Sequence, residues 1–288
     1  METSLIFTSK AEYLASKLTA KAKDADFVFL AKNKDGKRFF PDGEIYARIP
    51  EIGGLSKKRV IVLHSGSPKP NDGLVELELI LQILKDRGIK PEVFFTYFPY
   101  SRQDKIFENG ETNAAERLIQ KIINYYEAKK IYIVDPHFGK MPWLKKYPVI
   151  SICSAPLLMR KMKENSNQDV MFVSPDKGGK RRTGISGLDK KRTDSFNVDF
   201  SGTTSAFDGK VVGVIDDILA TGGTLAKFYD YAEKSGAQKV IAMVTHGPFR
   251  PGIIRIKDKF PEFYLTNTIN AKEANVDITD LIVKAIQK

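Results

Sequence analysis

Apolar residues follow two rhythms along this chain, and the two alternate from one end to the other. Short unbroken runs rich in β-branched or aromatic side chains occupy residues 27–31, 60–64, 91–97, 130–134, 170–174, 211–215, 240–244 and 263–268. Such runs, without polar alternation, predict strands covered on both faces. Between them lie stretches with apolar positions at helical spacing: residues 9–22 (Ala11, Leu14, Ala15, Leu18, Ala22), 74–85 ended by Gly88, 114–128, 155–163, 225–234 and 278–287. Pro41-Asp42-Gly43 predicts a β-turn closing a hairpin between residues 38 and 44, and residues 148–153 predict a connection between two halves. Residues 186–200 are polar, turn-rich and basic, which predicts a mobile flap rather than a packed element. Strand–helix alternation through both halves predicts two α/β domains built on parallel sheets.

In such sheets ligands bind outside the carboxyl ends of the strands, so the residues that follow each run carry the candidate chemistry. The run at residues 211–215 is followed by Asp216 and Asp217, then Thr221-Gly222-Gly223-Thr224, then a helix. Carboxylates there accept hydrogen bonds from adjacent hydroxyls, and a glycine turn opening a helix presents bare N–H groups to phosphate oxygens. The ligand implied is a sugar phosphate. The run at residues 91–97 opens into a loop carrying Arg102, Gln103, Asp104 and Lys105, donors that suit a polyphosphate with an acid to balance them. The run at residues 130–134 ends in Asp135-Pro136-His137, and the run at 170–174 in an acid/base turn containing Asp176 and two glycines. No Gly-x-x-x-x-Gly-Lys-Ser/Thr segment occurs, so a nucleotide site here is not of the Walker A kind.

Size and charge narrow this picture. At 288 residues the chain exceeds one typical domain, and two domains sharing one active site follow naturally. One cysteine, Cys153, excludes an internal disulfide and fits a reducing cytosol. The absence of a leader pattern or a membrane-length apolar run predicts a cytoplasmic protein. A net charge of +11 raises nucleic-acid binding. Against it, the chain has no spaced Cys/His module, basic-region helix or basic–aromatic stripe, and part of the surplus lies in segments suited to polyphosphate.

Residues 215–224 resemble the ribose-5-phosphate motif of the type I phosphoribosyltransferase superfamily. The loops taken together resemble those of ribose-phosphate diphosphokinases, also called PRPP synthetases, in particular archaeal-type members. The resemblance implies two phosphoribosyltransferase-like domains, each a mainly parallel sheet flanked by helices. Residues 1–149, joined by a C-terminal helix in 275–288, would carry the ATP loops, and residues 150–274 the ribose 5-phosphate site. It implies ATP contacts at Phe40, Asp42, Glu44, Arg102, Gln103, Asp104 and His137, with the Phe40 turn reaching into a neighbouring subunit. It implies pentose contacts at Asp216, Asp217, Ala220, Thr221, Gly222, Gly223 and Thr224, and Mg²⁺ near His137 and Asp176. Lys190 and Arg192 would be catalytic residues on a loop that closes over the site. The partners implied are ATP, ribose 5-phosphate and further copies of the chain, with no nucleic acid and no membrane. A nucleobase phosphoribosyltransferase and a silent regulatory subunit are the alternatives; a PRPP-sensing repressor would need an N-terminal helix-turn-helix, and none is evident. Three departures from the family pattern stand out: Ala220 at an often acidic position, Pro136 at an apolar one, and residues 108–111 in place of a Ser-Arg-x-Pro regulatory segment.

Overall fold

Two neighbouring strands, β3 (Arg59–Ser65) and β4 (Glu92–Tyr97), are buried along nearly their whole length, which requires cover on both faces and places them at the centre of a sheet. The computed structural model describes residues 2–165, 168–175, 190–192, 198–200 and 207–287. The chain forms two compact units, one running through Ile152 and resuming at Thr279, the other spanning Cys153–Ile278.

The N-terminal unit is a six-stranded sheet in the order β2-β1-β3-β4-β5-β6, with every neighbouring pair parallel. Its outer strands are β1 (Thr3–Phe7), β2 (Ala25–Phe29), β5 (Lys130–Val134) and β6 (Val149–Ile152). Helix α1 is Ala15–Lys21, α2 Pro70–Asp86, and α3 Ala114–Gln120, the last continued by a π-turn over Lys121–Tyr125. Pro70 at the first helical position fixes φ where no N–H is needed, and Leu77, Ile80, Leu81 and Leu84 of α2 turn one buried stripe toward the sheet. Each such side chain contributes about 1.5–3 kcal/mol by leaving water.

The closing helix α7 (Thr279–Ile286) belongs to this unit. Lys21 Nζ on α1 donates to Asp280 at 2.7 Å and to Thr279 Oγ1 at 2.9 Å. Arg59 donates to the Ile286 carbonyl at the helix's far end, and in a fork to both oxygens of Glu92, each at 2.8 Å.

The second unit holds a four-stranded parallel sheet in the order β12-β11-β10-β7. Its strands are β7 (Val170–Val173), β10 (Val211–Ile218), β11 (Lys239–His246) and β12 (Glu262–Leu265). Helices α4 (Ala155–Asn165), α5 (Gly223–Lys234) and α6 (Arg250–Lys259) accompany it. Among the described residues no helix is long and apolar enough to cross a membrane.

Three sequence expectations need correcting, and one segment needs more detail. Residues 149–152 form edge strand β6 of the first sheet rather than a connector. The first helix begins at Ala15, because residues 12–14 wind as a 3₁₀ turn and residues 3–7 form β1, which periodicity did not reveal. The segment read as a flap rather than a packed element carries a short two-stranded antiparallel ribbon, β8 (Lys190–Arg192) with β9 (Val198–Phe200), which periodicity did not reveal. Strand β10 runs three residues past the apolar run and carries the acid pair within it.

Candidate functional site

The acid pair closes a strand instead of opening a loop. Asp216 pairs with Val244 and Ile218 with His246, and the Leu219 N–H extends the ladder to the His246 carbonyl at 2.8 Å. Successive side chains on a strand point to opposite faces, so the two carboxylates differ in setting. Asp217 is 6% exposed, whereas Asp216 is half-buried and accepts the Asp217 N–H at 3.0 Å.

The chain then turns through Ala220 and an exposed Thr221 to Gly222, whose φ of +78° suits glycine. Helix α5 starts at Gly223, two residues earlier than periodicity predicts, so Gly223 and Thr224 form its first turn. No side chain caps this end. The first-turn N–H groups thus have no side-chain acceptor at the positive end of the helix dipole, an arrangement suited to a phosphate. The candidate pentose residues Asp216, Asp217, Ala220, Thr221, Gly222, Gly223 and Thr224 thus lie on one continuous strand–turn–helix.

The nucleotide candidates are dispersed over the N-terminal unit. Arg102 and Gln103 follow β4 and are exposed, while Asp104 is 9% exposed. Their loop is fixed through its backbone: Trp143 Nε1–H donates to the Asp104 carbonyl at 3.0 Å, and the Ala115 N–H to the Gln103 carbonyl at 3.0 Å. His137 follows the neighbouring strand β5, half-buried, in a turn entered through Asp135 at φ +36°. Phe138, fully buried, anchors that turn, with ring centroids 5.2 Å from both Phe98 and Trp143. One aromatic cluster therefore holds both the Arg102 loop and the His137 turn. No local motif in the sequence advertised this; the signal was the spacing of buried aromatics on adjacent connections.

The Phe40 turn stands apart, because it follows β2, which β1 and β3 separate from β4. An antiparallel bridge between Phe39 and Ile45 forms its stem, and the Phe40 N–H donates to the Glu44 carbonyl at 2.7 Å. Gly43 at φ +95° makes the turn, an Arg38–Glu12 ion pair ties it down, and Phe40, Asp42 and Glu44 are exposed.

Histidine chemistry separates cleanly. His64 is buried against Thr8 and Phe95, and burial, aided by Lys10, pushes its pKa down to about 3, so it stays neutral. His246 is 1% exposed with Nδ1 2.9 Å from Thr268 Oγ1. Of the three, only His137 is less than fully buried.

For a cation, the His137 turn offers the Asp135 carboxylate and an imidazole, and the β10 end offers two carboxylates. Among the described residues no three His, Cys, Asp or Glu side chains form a metal-holding group. Mg²⁺ binds readily through one or two protein carboxylates completed by water and substrate phosphate oxygens, so the donors at either place, taken by themselves, fit the ion. Asp176 lies outside the described residues, as do the side chains of Lys190 and Arg192, whose backbone forms β8. Two clefts of about 310 and 500 Å³ border Val211 and Gln238, at the amino ends of the strands and away from this chemistry.

Residues 5–126 match the family model of the N-terminal domain of ribose phosphate pyrophosphokinase. The ribose-phosphate pyrophosphokinase of Pyrococcus abyssi is 31% identical over 262 residues, covering 86% of this chain and 89% of the relative. That of Pyrococcus furiosus is 29% identical over 295 residues, covering 98% and 100%. The crystal structure of phosphoribosylpyrophosphate synthetase from Mycobacterium smegmatis superposes with a TM-score of 0.83 at 25% identity, covering 100% of this chain and 98% of that one.

Proposed function

The chain belongs to the ribose-phosphate pyrophosphokinase family and makes PRPP, and from that premise we propose which residues hold which substrate. The β,γ-diphosphoryl group of ATP passes to the C1 hydroxyl of ribose 5-phosphate, giving PRPP and AMP. The observation that supports the assignment of the pentose is the uncapped start of α5 directly after the acid pair of β10.

Phosphoryl transfer asks a protein for alignment and charge neutralisation more than for covalent chemistry. The N–H groups of residues 221–224 hold the 5-phosphate, and Asp216 and Asp217 accept hydrogen bonds from the ribose hydroxyls. Arg102 and Gln103 grip the nucleotide, with Asp104 shaping their loop. His137 hydrogen-bonds the triphosphate, and Asp135, His137 and Asp176 are the residues that would hold Mg²⁺. When bound, Mg²⁺ supplies neutralisation of phosphate charge. Lys190 and Arg192 stabilise the charge that builds between the α- and β-phosphates as AMP leaves. Phe40, Asp42 and Glu44 serve the adenine of a second copy, so the enzyme is a homo-oligomer with a shared ATP site; an aromatic turn this exposed and this far along the sheet from the Arg102 loop supports that reading.

A nucleobase phosphoribosyltransferase would use the β10 loop equally well, but would leave the N-terminal unit and its match over residues 5–126 without a purpose. The test is direct: purified protein with ATP, ribose 5-phosphate and Mg²⁺ should release AMP and PRPP in equal amounts. Release of ADP instead, or turnover of PRPP with a free base, would contradict it.

A further inference from the structure

Helix α6 belongs to no recognisable motif, yet it touches the phosphate loop through glycines where no side chain would fit. A Cβ on Gly252, in the first turn of α6, would sit 1.7 Å from the Ala220 carbonyl oxygen and 3.2 Å from the Thr221 carbonyl carbon. The reciprocal contact lies one helical turn on, where a Cβ on Gly222 of the loop would meet Ile256 Cγ1 at 2.9 Å. Arg255, between them, donates from Nη1 to the Thr221 carbonyl at 3.5 Å. The helix is itself seated: a Cβ on Gly247, just past β11, would meet Ile253 Cδ1 at 2.8 Å, and Ile253 and Ile256 are fully buried.

We infer that α6 is the brace that sets the geometry of the phosphate loop, with Gly252 and Ile256 as positioning residues for ribose 5-phosphate. Loop N–H groups act together only if they converge on one phosphate, and a displacement on the order of 1 Å costs heavily. The two glycine contacts differ in what they meet. At Gly252 the opposing atoms are loop backbone, so an added methyl must push residues 220–221 themselves. At Gly222 the opposing atoms belong to the Ile256 side chain, so trimming that side chain makes room. The brace thus acts on the pentose through the loop and leaves the nucleotide loops of the other unit untouched.

This rests on the reading that residues 221–224 take the sugar phosphate. The experiment is steady-state kinetics in both substrates, with calorimetric titration of ribose 5-phosphate and thermal melts, on Gly252→Ala, Gly222→Ala, Ile256→Ala and the Gly222→Ala/Ile256→Ala double variant. Gly252→Ala should raise the KM and Kd for ribose 5-phosphate by about tenfold or more while the ATP KM stays within about twofold. The penalty of Gly222→Ala should shrink severalfold in the Ile256→Ala background, since the positive-φ cost is common to both backgrounds and only the collision is relieved. A folded Gly252→Ala enzyme with unaltered ribose 5-phosphate affinity, equal rises in both KM values, or an undiminished Gly222→Ala penalty would overturn the brace. Should Gly252→Ala fail to fold, the Gly222–Ile256 comparison decides alone. Wild-type protein that does not bind ribose 5-phosphate sinks the underlying reading instead.

Discussion

In the proposed assignment the pentose loop and the nucleotide loops solve the same problem, holding phosphate, by opposite means. At the end of β10 the work falls to backbone: a strand, a positive-φ glycine and a helix start, all within residues 216–224 and uncapped by any side chain. In the N-terminal unit it falls to side chains on separate turns after β2, β4 and β5, held by contacts from far along the chain such as Trp143 to Asp104. The contrast teaches that a backbone-built site is sensitive to added volume, and a side-chain-built site to whatever anchors its turns.

The largest effect should come where charge is neutralised. Lys190→Ala and Arg192→Ala should each lower kcat by two to three decades, about 3–4 kcal/mol, with little change in either KM. A loss confined to KM, or near-normal turnover with lost salt-sensitive nucleic-acid binding, would remove them from the chemistry. Next come the β10 carboxylates: Asp216→Ala and Asp217→Ala should raise the ribose 5-phosphate KM by about tenfold or more, since each loses a hydrogen bond to a charged group. The ATP KM should move little, as initial-rate kinetics in both substrates would reveal.

Anchor loss should follow the opposite pattern. Phe138→Ala opens a cavity in the cluster shared by Phe98 and Trp143 and should cost about 3–5 kcal/mol of stability, read by denaturant melts. The milder Trp143→Phe removes the Nε1–H bond to Asp104 together with part of a buried ring, so it should cost more than the bond alone, about 0.5–1.5 kcal/mol, but less than Phe138→Ala, and should raise the ATP KM without touching that of ribose 5-phosphate.

How much of this was legible in the sequence follows from the same contrast. The strand–turn–helix of residues 211–234 could be read because all its parts are contiguous and each has a local physical cause. The central strands could be read because burial on both faces leaves an unbroken apolar run. Strand β1 escaped because residues 3–7 sit among polar neighbours with no turn signal ahead of them, and β6 because its residues are largely exposed at a sheet edge. Helix α6 escaped because Pro251-Gly252 reads as a turn, whereas Pro251 sits at a helix start and Gly252 answers to the Ala220 carbonyl. The aromatic anchor of the Arg102 and His137 turns depends on tertiary packing and has no local signature.

The smallest effect concerns pH and lies away from both sites. Burial pushes the Glu92 carboxyl up, but the hydrogen bonds from Arg59 and Tyr132 outweigh it and hold the group below the ordinary 4.5. A carboxylate with a depressed folded pKa adds stability that is present above its unfolded value and lost as pH falls through the folded one. Melting temperature should therefore drop on the acid side of about pH 4.5, and Glu92→Gln should flatten that limb while lowering stability at neutral pH. An unchanged acid limb in Glu92→Gln would assign the drop to other carboxylates.

The division of labour between the two units is tested most directly by one crossed measurement: KM values for both substrates in Asp217→Asn and in Arg102→Ala, under identical Mg²⁺. The account predicts a crossed result, with ribose 5-phosphate affinity falling in the first variant and ATP affinity in the second, each with the other substrate nearly unaffected. Parallel losses for both substrates in both variants would contradict it.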